Sequence, residues 1–559
     1  MLLFRIVVVV VLSVFAWVVH QILPRVWFDP VYVVAASLLI SYVLIWIAGS
    51  ASRGVALRKV VGDVRENVPD PSATMPNAQK WYIESTFSEK RLPYSCSFVE
   101  FDERGDYLDF SQHKHAYEKV LALAQQHEHL IVVIFLHGWR NNGQSGNVVD
   151  FNEFLHQLAT HTDVQGADHR VHGIYLSWRG ACLKHAIRRS EKPFQEVSKQ
   201  YGGDIVDLRQ AARFPTFNEL LETFSYFDRK GVPEHLSSGT SLSRTIITCA
   251  HVAKRFQPRS HVFLIGHSFG GLMLERTFQN ATVGELIKSW PFGKQEKSTE
   301  TKANPLPFDT VVLVNSAAPS IYARQFQSFL AGHGHAMSRY HVVGANSPVF
   351  FSLTSSGDWA TGIIHPLANT FCFLLPTLRR KYRGDDFILA PDDGSKDVLI
   401  QQSYYYRHTP GHNPLLVNRF IEASESPIST AKPTSSNHLR DNLQNSEKTL
   451  AFTTSPRNEG EPARHWCINF PPMTEPFKKF SRYKTYRPVV WQKESDVYTY
   501  KDTAYWIIRC PKEVIKNHND IWSQPAMDTY AALYAISKAL REQKATGPAT
   551  RESYSASTR

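Results

Sequence analysis

The residue of this chain best suited to act as a nucleophile is Ser268, which lies between glycines in the sequence GHSFGG at 266–271. The apolar run 262–265 before it predicts a short buried strand, and the apolar residues after it open a helical pattern. A strand, a sharp turn and a helix are what a G-x-S-x-G turn requires, because the turn strains the serine backbone and exposes its hydroxyl. Gly266 and Gly270 lack a Cβ, so strand and helix can pass close to the turn. An ordinary glycine-rich turn is the alternative interpretation.

A serine hydroxyl is a weak nucleophile at neutral pH and needs a base within hydrogen-bond reach. An imidazole can serve as that base, and a carboxylate can orient the imidazole. Asp358 follows the apolar run 349–353, and His518 follows the apolar run 504–508 and precedes a predicted helix at 526–541. These positions make Asp358 the candidate acid and His518 the candidate base. Other acids and histidines later in the chain remain as rivals: Asp385, Asp386, Asp392, Asp393, His408, His412, His438 and His465.

Short apolar runs alternate with helical patterns along the chain, which predicts an α/β fold with a mostly parallel sheet and helices on both faces. Because ligands and reacting groups gather at the carboxyl ends of parallel strands, we expect the site at that edge. The predicted strands are 94–102, 130–136, 173–177, 262–265, 310–314, 349–353 and 504–508. The predicted helices are 111–126, 148–161, 244–256, 270–289 and 320–331, besides the helix at 526–541.

Four motifs together resemble the α/β-hydrolase superfamily: FLHGWRNNG at 135–143, GHSFGG at 266–271, SSGDWAT at 355–361 and NHNDIW at 517–522. The resemblance implies an α/β-hydrolase fold over residues 94–542, with the family order of nucleophile, acid and histidine. The order Ser268, Asp358, His518 matches that pattern. The family's oxyanion hole then corresponds to the backbone N–H groups of Phe269 and Trp139.

Neighbouring residues have supporting roles in this interpretation. We expect His137 to brace the oxyanion loop, and Gly138 to allow close backbone approach. His267 is expected to point away from the reacting centre. No histidine and glutamate pair has a metal-ligand spacing such as H-E-x-x-H, so neither a metal nor a cofactor is predicted.

The N-terminal 50 residues contain two apolar segments, 6–23 and 31–49, each close to the length of a membrane-spanning helix. The prolines and charges between them predict a helical hairpin. Basic residues after the second segment place both ends, and the body of the protein, in the cytoplasm. The competing interpretation is a cleaved signal peptide at 1–23 followed by one anchor, which would export the body.

Several segments fall outside the predicted sheet. Residues 51–93 are interpreted as a linker. The insertion 181–243 is either a cap over the site or a helix docked on the core, and the apolar segment 362–376 is either a lid, an interfacial segment or part of the core. Residues 423–463, rich in Ser, Thr, Asn and Pro, and the tail 543–559 are predicted to be disordered.

The cysteine content and the net charge of the chain limit the classes of protein to which it can belong. Six cysteines show no paired spacing, which disfavours a disulfide framework and suits a reducing compartment. A net charge of +11 suggests an anionic membrane surface or a nucleic acid. The chain has no basic-aromatic motif, so no nucleic-acid partner is predicted.

These observations predict a membrane-anchored serine hydrolase that cleaves carboxylic esters, including lipid esters, through a Ser268 acyl-enzyme. The predicted partners are the lipid bilayer and an ester substrate, and the sequence predicts no particular protein partner. A thioesterase or an acyltransferase would use the same three residues. A membrane-tethered scaffold without turnover is the alternative from another class, since a fold does not fix a function.

Overall fold

The structure is a computed structural model, and it describes these residues: 82–84, 94–127, 129–141, 146–160, 170–180, 226–257, 259–279, 308–332, 348–366, 369, 387–389, 398–400, 402–413, 416–424, 450–456, 462–469 and 505–546. The predicted membrane segments 6–23 and 31–49 lie outside this part of the chain. Within it, no helix has the length and apolar character needed to cross a bilayer. Most of the linker 51–93 and of the tail 543–559 also lies outside it. Residues 543–546 of that tail are helical, so the prediction of disorder is wrong for these four residues.

Thirteen strands and eight α-helices are found among the described residues. The strands are β1 (Tyr82–Glu84), β2 (Tyr94–Phe101), β3 (Leu130–Leu136), β4 (Arg170–Trp178), β5 (His261–His267), β6 (Thr310–Val314), β7 (Phe350–Ser355), β8 (Phe387–Leu389), β9 (Val398–Ile400), β10 (Arg419–Ala423), β11 (Leu450–Thr454), β12 (Arg464–Asn469) and β13 (Tyr505–Cys510). The α-helices are α1 (Phe110–Gln126), α2 (Gly146–Thr160), α3 (Tyr226–Ser238), α4 (Thr240–Phe256), α5 (Phe269–Gln279), α6 (Ser320–Gly332), α7 (Gln402–Arg407) and α8 (Gln524–Thr546). A π-helical turn (Ala360–Ile364) and a 3-10 turn (Pro410–His412) complete the set.

One large sheet organises the fold, with the strand order β1-β2-β4-β3-β5-β6-β7-β13-β10-β12-β11. All pairs from β2 to β10 are parallel, whereas β1 and the β10-β12-β11 end pair antiparallel. The separate pair β8-β9 is antiparallel. The prediction of an α/β fold with a mostly parallel central sheet is therefore confirmed.

Both faces of the sheet are covered, because neighbouring residues of a strand point to opposite faces. In β3, Val132 and Ile134 belong to one hydrophobic cluster and Ile131 and Val133 to another. The first cluster includes buried side chains of α1, α3, α4, α5 and α6, and the second includes those of α2 and α8. This double layer of helices explains why the central strands read as continuous apolar runs rather than as alternating patterns.

The structure differs from the sequence-based prediction at residues 423–463. Leu450–Thr454 form strand β11, which pairs antiparallel with β12, so the prediction of disorder is wrong for these five residues. Phe452 is buried in the second cluster. Its alternation with Ala451 and Thr453 suits an edge strand, and the polar composition of the surrounding forty residues obscured it. The final parallel strand is also longer than predicted and ends at Cys510 instead of 508.

Part of the insertion 181–243 belongs to the body of the fold. Residues 226–243 form α3 and the first turn of α4. Val232, Leu236 and Leu242 are buried in the first cluster. Residues 181–225, which contain most of the predicted amphipathic helix face, lie outside the described residues.

Candidate active site

Ser268 occupies a strained turn between β5 and α5. Its φ angle is +55°, a left-handed conformation that a non-glycine residue adopts only where its surroundings impose it. A Cβ on Gly266 would lie 2.8 Å from the carbonyl oxygen of Gly270, and a Cβ on Gly270 would clash with the carbonyl of Leu136. The two glycines therefore let β5, α5 and the end of β3 converge on the serine.

Three side chains predicted from the sequence meet at the carboxyl edge of the sheet. His518 Nε2 lies 2.9 Å from Ser268 Oγ, and His518 Nδ1 lies 3.0 Å from each carboxylate oxygen of Asp358. With Nδ1–H donated to Asp358, the lone pair of Nε2 faces the serine and can accept its proton. Ser268 follows β5, Asp358 follows β7 and His518 follows β13, so the sheet brings together residues from three distant parts of the chain.

Asp358 is held as a buried carboxylate by several donors. The Thr361 hydroxyl donates to Oδ2, and the backbone N–H groups of Ala360 and Thr361 donate to Oδ1 at 3.0 and 3.1 Å. Burial alone would raise its pKa, but the adjacent His518 and these hydrogen bonds outweigh burial and hold the pKa of Asp358 well below its usual range. The side chain is therefore ionised at neutral pH and keeps the His518 ring in one tautomer.

The loop after β3 packs directly on the serine turn. A Cβ on Gly138 would lie 2.8 Å from Ser268 Cβ and 3.0 Å from the His267 carbonyl oxygen. Trp139 comes next in this loop, and Phe269 follows the serine on the other side. The two backbone segments predicted to supply the oxyanion hole are therefore adjacent to Ser268.

His137 braces that loop as a neutral imidazole. Its Nδ1–H donates to the Gly138 carbonyl at 2.9 Å, and its Nε2 accepts from the backbone N–H of Trp178 at 3.1 Å. The indole of Trp178 stacks on the ring and donates to the His137 carbonyl at 3.0 Å. Burial lowers the pKa of His137 to about 4. The ring therefore keeps its acceptor nitrogen at neutral pH.

His267 contacts the backbone of His518 rather than the serine. Its Nε2–H donates to the His518 carbonyl at 2.8 Å, and the two rings lie 4.9 Å apart. Burial, together with the neighbouring His518, lowers the pKa of His267 to about 3. His267 is thus a neutral donor to the main chain of the candidate base.

Two residues near the site were not singled out by sequence reasoning. Thr361 binds the acid with both its hydroxyl and its backbone, and Asn315 contacts the His518 loop from the end of β6. A signal for Asn315 was present, because an asparagine directly after a buried strand tolerates the positive φ that a sharp turn needs. Thr361 had no comparable signal, since its contact depends on the π-helical turn.

Two of the rival histidines, His412 and His465, bond to residues outside the relay. His412 contacts the hydroxyls of Thr409 and Thr361, behind the acid, and burial lowers its pKa to about 4. His465 contacts Thr453 at the β11-β12 edge. The rival acids and His438 fall outside the described residues.

No three His, Cys, Asp or Glu side chains are grouped as metal ligands in the described part of the chain. The cysteines described there are buried and free: Cys96, Cys249, Cys467 and Cys510. Burial raises the pKa of Cys249 to about 12, so this thiol stays protonated. Comparison of the chain with protein-family models, with curated proteins and with solved structures gives no match.

Proposed function

We propose that this protein is a serine hydrolase of the α/β-hydrolase type, which cleaves carboxylic esters through a covalent acyl–Ser268 intermediate. The observation that carries the proposal is the continuous hydrogen-bonded relay from Ser268 Oγ through His518 to Asp358. The positive φ of Ser268 supports it, because that strained turn is what presents a nucleophile above the sheet edge. A scaffold without turnover has no chemical need for this relay.

The geometry accounts for each step of acyl transfer. Ser268 Oγ bonds to the ester carbonyl carbon as His518 Nε2 takes the hydroxyl proton. Asp358, already ionised, stabilises the imidazolium that forms. The carbonyl electron pair moves to oxygen, which the backbone N–H groups of Phe269 and Trp139 would stabilise. The intermediate collapses, the C–O bond to the alcohol breaks, and His518 returns the proton to the departing alkoxide.

Water then releases the acyl group through the same kind of steps, with water as the nucleophile and Ser268 as the leaving group. His518 Nε2 takes a proton from water as the hydroxide bonds to the acyl carbon. The tetrahedral intermediate then expels Ser268 Oγ, which recovers the proton from His518. A thioester in place of the ester, or an alcohol in place of water, would use the same groups, so the thioesterase and acyltransferase readings remain variants of this proposal.

Attachment to a membrane is part of the proposal and comes from the sequence alone. The segments 6–23 and 31–49 would anchor the protein, which favours esters of lipids as substrates. Extraction of membranes with alkaline carbonate should leave the full-length protein in the pellet. Its release into the supernatant would contradict an integral anchor.

A fluorophosphonate probe tests the proposed nucleophile directly, because such probes react only with activated serines. We expect the full-length wild type to be labelled and Ser268→Ala not to be labelled. Ser316→Ala is the matched control, since Ser316 is a buried serine next to α5 that lies outside the relay. An unlabelled but folded wild type would contradict the proposal and favour the scaffold.

Substrate class follows from a second assay on the same proteins. Nitrophenyl esters and the corresponding thioesters of increasing acyl length should be hydrolysed by wild type and by Ser316→Ala. The activity of Ser268→Ala should be lower than that of wild type by about 10³-fold or more. A preference for thioesters over esters would redirect the proposal to a thioesterase.

A further inference from the structure

Asn315 is a buried residue that joins two loops of the candidate site. It follows β6 directly, one strand away from the serine in the sheet. Its side-chain Oδ1 accepts the backbone N–H of Ser355 at 2.9 Å, at the end of the strand that leads to the acid. Its Nδ2 donates to the carbonyls of Asn517 and His518 at 3.3 and 3.1 Å.

These contacts fix the orientation of the amide. A backbone N–H can only donate and a backbone carbonyl can only accept, so the oxygen of Asn315 must face Ser355 and its nitrogen must face His518. The backbone of Asn315 is also constrained, with φ at +46° and its N–H donating to Leu353 O at 2.9 Å. Asparagine is among the few non-glycine residues that adopt this conformation readily, and its side chain is short enough to bond locally.

The His518 carbonyl receives a second hydrogen bond, from His267 at 2.8 Å. Two donors on one carbonyl hold the backbone of that residue from two sides. Other contacts clamp the same loop to the acid turn: the Ser355 hydroxyl donates to the Ile515 carbonyl at 2.5 Å, and a Cβ on Gly357 would lie 2.5 Å from the Lys516 carbonyl oxygen. Asn315 stands between these loops and binds both.

We propose that Asn315 is a positioning residue, which holds the His518 imidazole in line between Ser268 and Asp358 through the backbone of the His518 loop. The inference deepens the proposed function and rests on it. Without the amide, the loop keeps the His267 contact and the Ser355–Ile515 hydrogen bond but loses its link to Asn315 at the end of β6. The imidazole can then move away from the in-line geometry, and displacement of a reacting group by about 1 Å costs on the order of 10²-fold in rate.

The test compares Asn315→Gly with Asn418→Gly. Glycine keeps the positive φ at 315 and removes only the amide. Asn418 is the matched control, because it is also buried and its amide also bonds the backbone beside β10, to Tyr505 O at 3.1 Å and Ile507 N at 2.9 Å. Tyr505 and Ile507 lie in the first half of β13, away from the strand end that leads to His518, so Asn418→Gly should lower stability and leave the relay in place.

We expect Asn315→Gly to lower kcat and the fluorophosphonate labelling rate by about 10- to 100-fold, with KM within about threefold of wild type. Asn418→Gly should stay within about threefold on every constant when both variants are assayed at equal folded fraction. Labelling of Asn315→Gly at the wild-type rate would overturn the positioning role and leave the serine hydrolase intact. Absence of labelling in wild type would instead overturn the proposed function.

A spectroscopic measurement tests the same contact without turnover. The His518 Nδ1 proton bonded to Asp358 should give a downfield proton resonance in ¹⁵N-histidine-labelled protein, assigned by its loss in His518→Gln. We expect this signal in wild type and in Asn418→Gly, and its loss or broadening in Asn315→Gly. An unchanged signal in folded Asn315→Gly would overturn the proposal whatever the activity.

Discussion

Gly138 packs so closely on Ser268 that a Cβ at position 138 would lie 2.8 Å from the serine Cβ. Contacts this short do not occur between real side chains, so Gly138→Ala must push the loop away from the serine turn. Because Trp139 is the next residue, its backbone N–H would move with the loop. We expect kcat for ester hydrolysis to fall about 10²-fold, the cost of one lost oxyanion donor.

Gly231→Ala is the control for this prediction. A Cβ on Gly231, inside α3, meets no atom within 4 Å. Alanine in a helix interior should stabilise the protein by about 0.5–1 kcal/mol and leave kcat unchanged. Equal activity of the two alanine variants would contradict the role given to the oxyanion loop.

Asp358→Asn tests the role of the acid. The asparagine can occupy the same space, but it can present an N–H to His518 Nδ1 and so favour the wrong tautomer of the imidazole. The loss of such a carboxylate lowers kcat by about 10⁴-fold in enzymes with this relay. Asp528→Asn is the control, because Asp528 is a half-buried residue of α8 whose carboxylate bonds Ser455 and Gln524 outside the relay, and its kcat should match that of wild type. A decrease of less than tenfold in Asp358→Asn would show that another group orients the base.

We expect the protein to lose stability at alkaline pH because of the buried carboxyl group of Glu275. It is buried in α5, where Tyr505 donates to its Oε1 at 3.0 Å, and burial raises its pKa to about 8. The folded state therefore binds the proton more tightly than the unfolded state does. The stabilisation is complete below the ordinary pKa of 4.5 and is lost as the pH rises through 8.

Urea unfolding at pH 5 and pH 8.5 checks this prediction. From pH 5 to pH 8.5, the free energy of unfolding of wild type should fall by about 1–4 kcal/mol more than that of Glu275→Gln, because glutamine has no proton to release. The amide oxygen can still accept from Tyr505. The same pH dependence in both proteins would mean that Glu275 is ionised in the folded state.

We expect the buried His172 to make the protein lose stability at acid pH. It lies in β4, where its two ring nitrogens contact Ser95 Oγ at 2.9 Å and Ser97 Oγ at 3.3 Å. Burial lowers its pKa to about 3, with nearby Lys119 and Arg170 acting in the same direction. Between pH 6.5 and 3 the unfolded state binds the proton and the folded state does not, so stability falls as the pH falls.

The comparison is between wild type and His172→Gln at pH 7 and pH 4.5. Glutamine can bond to the serine hydroxyls but does not titrate. When the pH is lowered from 7 to 4.5, the free energy of unfolding of wild type should fall by about 1–3 kcal/mol more than that of the variant. Parallel losses in both proteins would show that His172 is not the source of acid sensitivity.

The sequence predicts the central strands well because each is buried on both faces. β3 and β6 are found at the predicted bounds, 130–136 and 310–314, and Ser268 has the strained φ expected of its turn. Single buried runs of β-branched residues leave few alternatives to a parallel strand. The acid and the histidine could be nominated by the same logic, from their places after apolar strands.

The remaining features depend on contacts between distant segments. Strands β11 and β12, at one end of the sheet, are short and half polar, so only the pairing of β12 with β10 and of β11 with β12 defines them. Asn315 has no catalytic chemistry of its own, and the positioning role proposed for it depends on three backbone groups that the sheet brings to it. Its place directly after a buried strand is visible in the sequence, but these contacts are evident only when the strand order is known.

The order of the strands has a consequence for synthesis of the protein. His518 lies 250 positions after Ser268 and 160 after Asp358, and it follows β13, which is inserted between β7 and β10. A nascent chain lacks β13 until residue 510 has been translated, although β2 to β7 can already form during elongation. The nascent polypeptide therefore carries a serine without its base. For the proposed hydrolase, activity should therefore appear only after His518 has been translated and β13 has paired with β7.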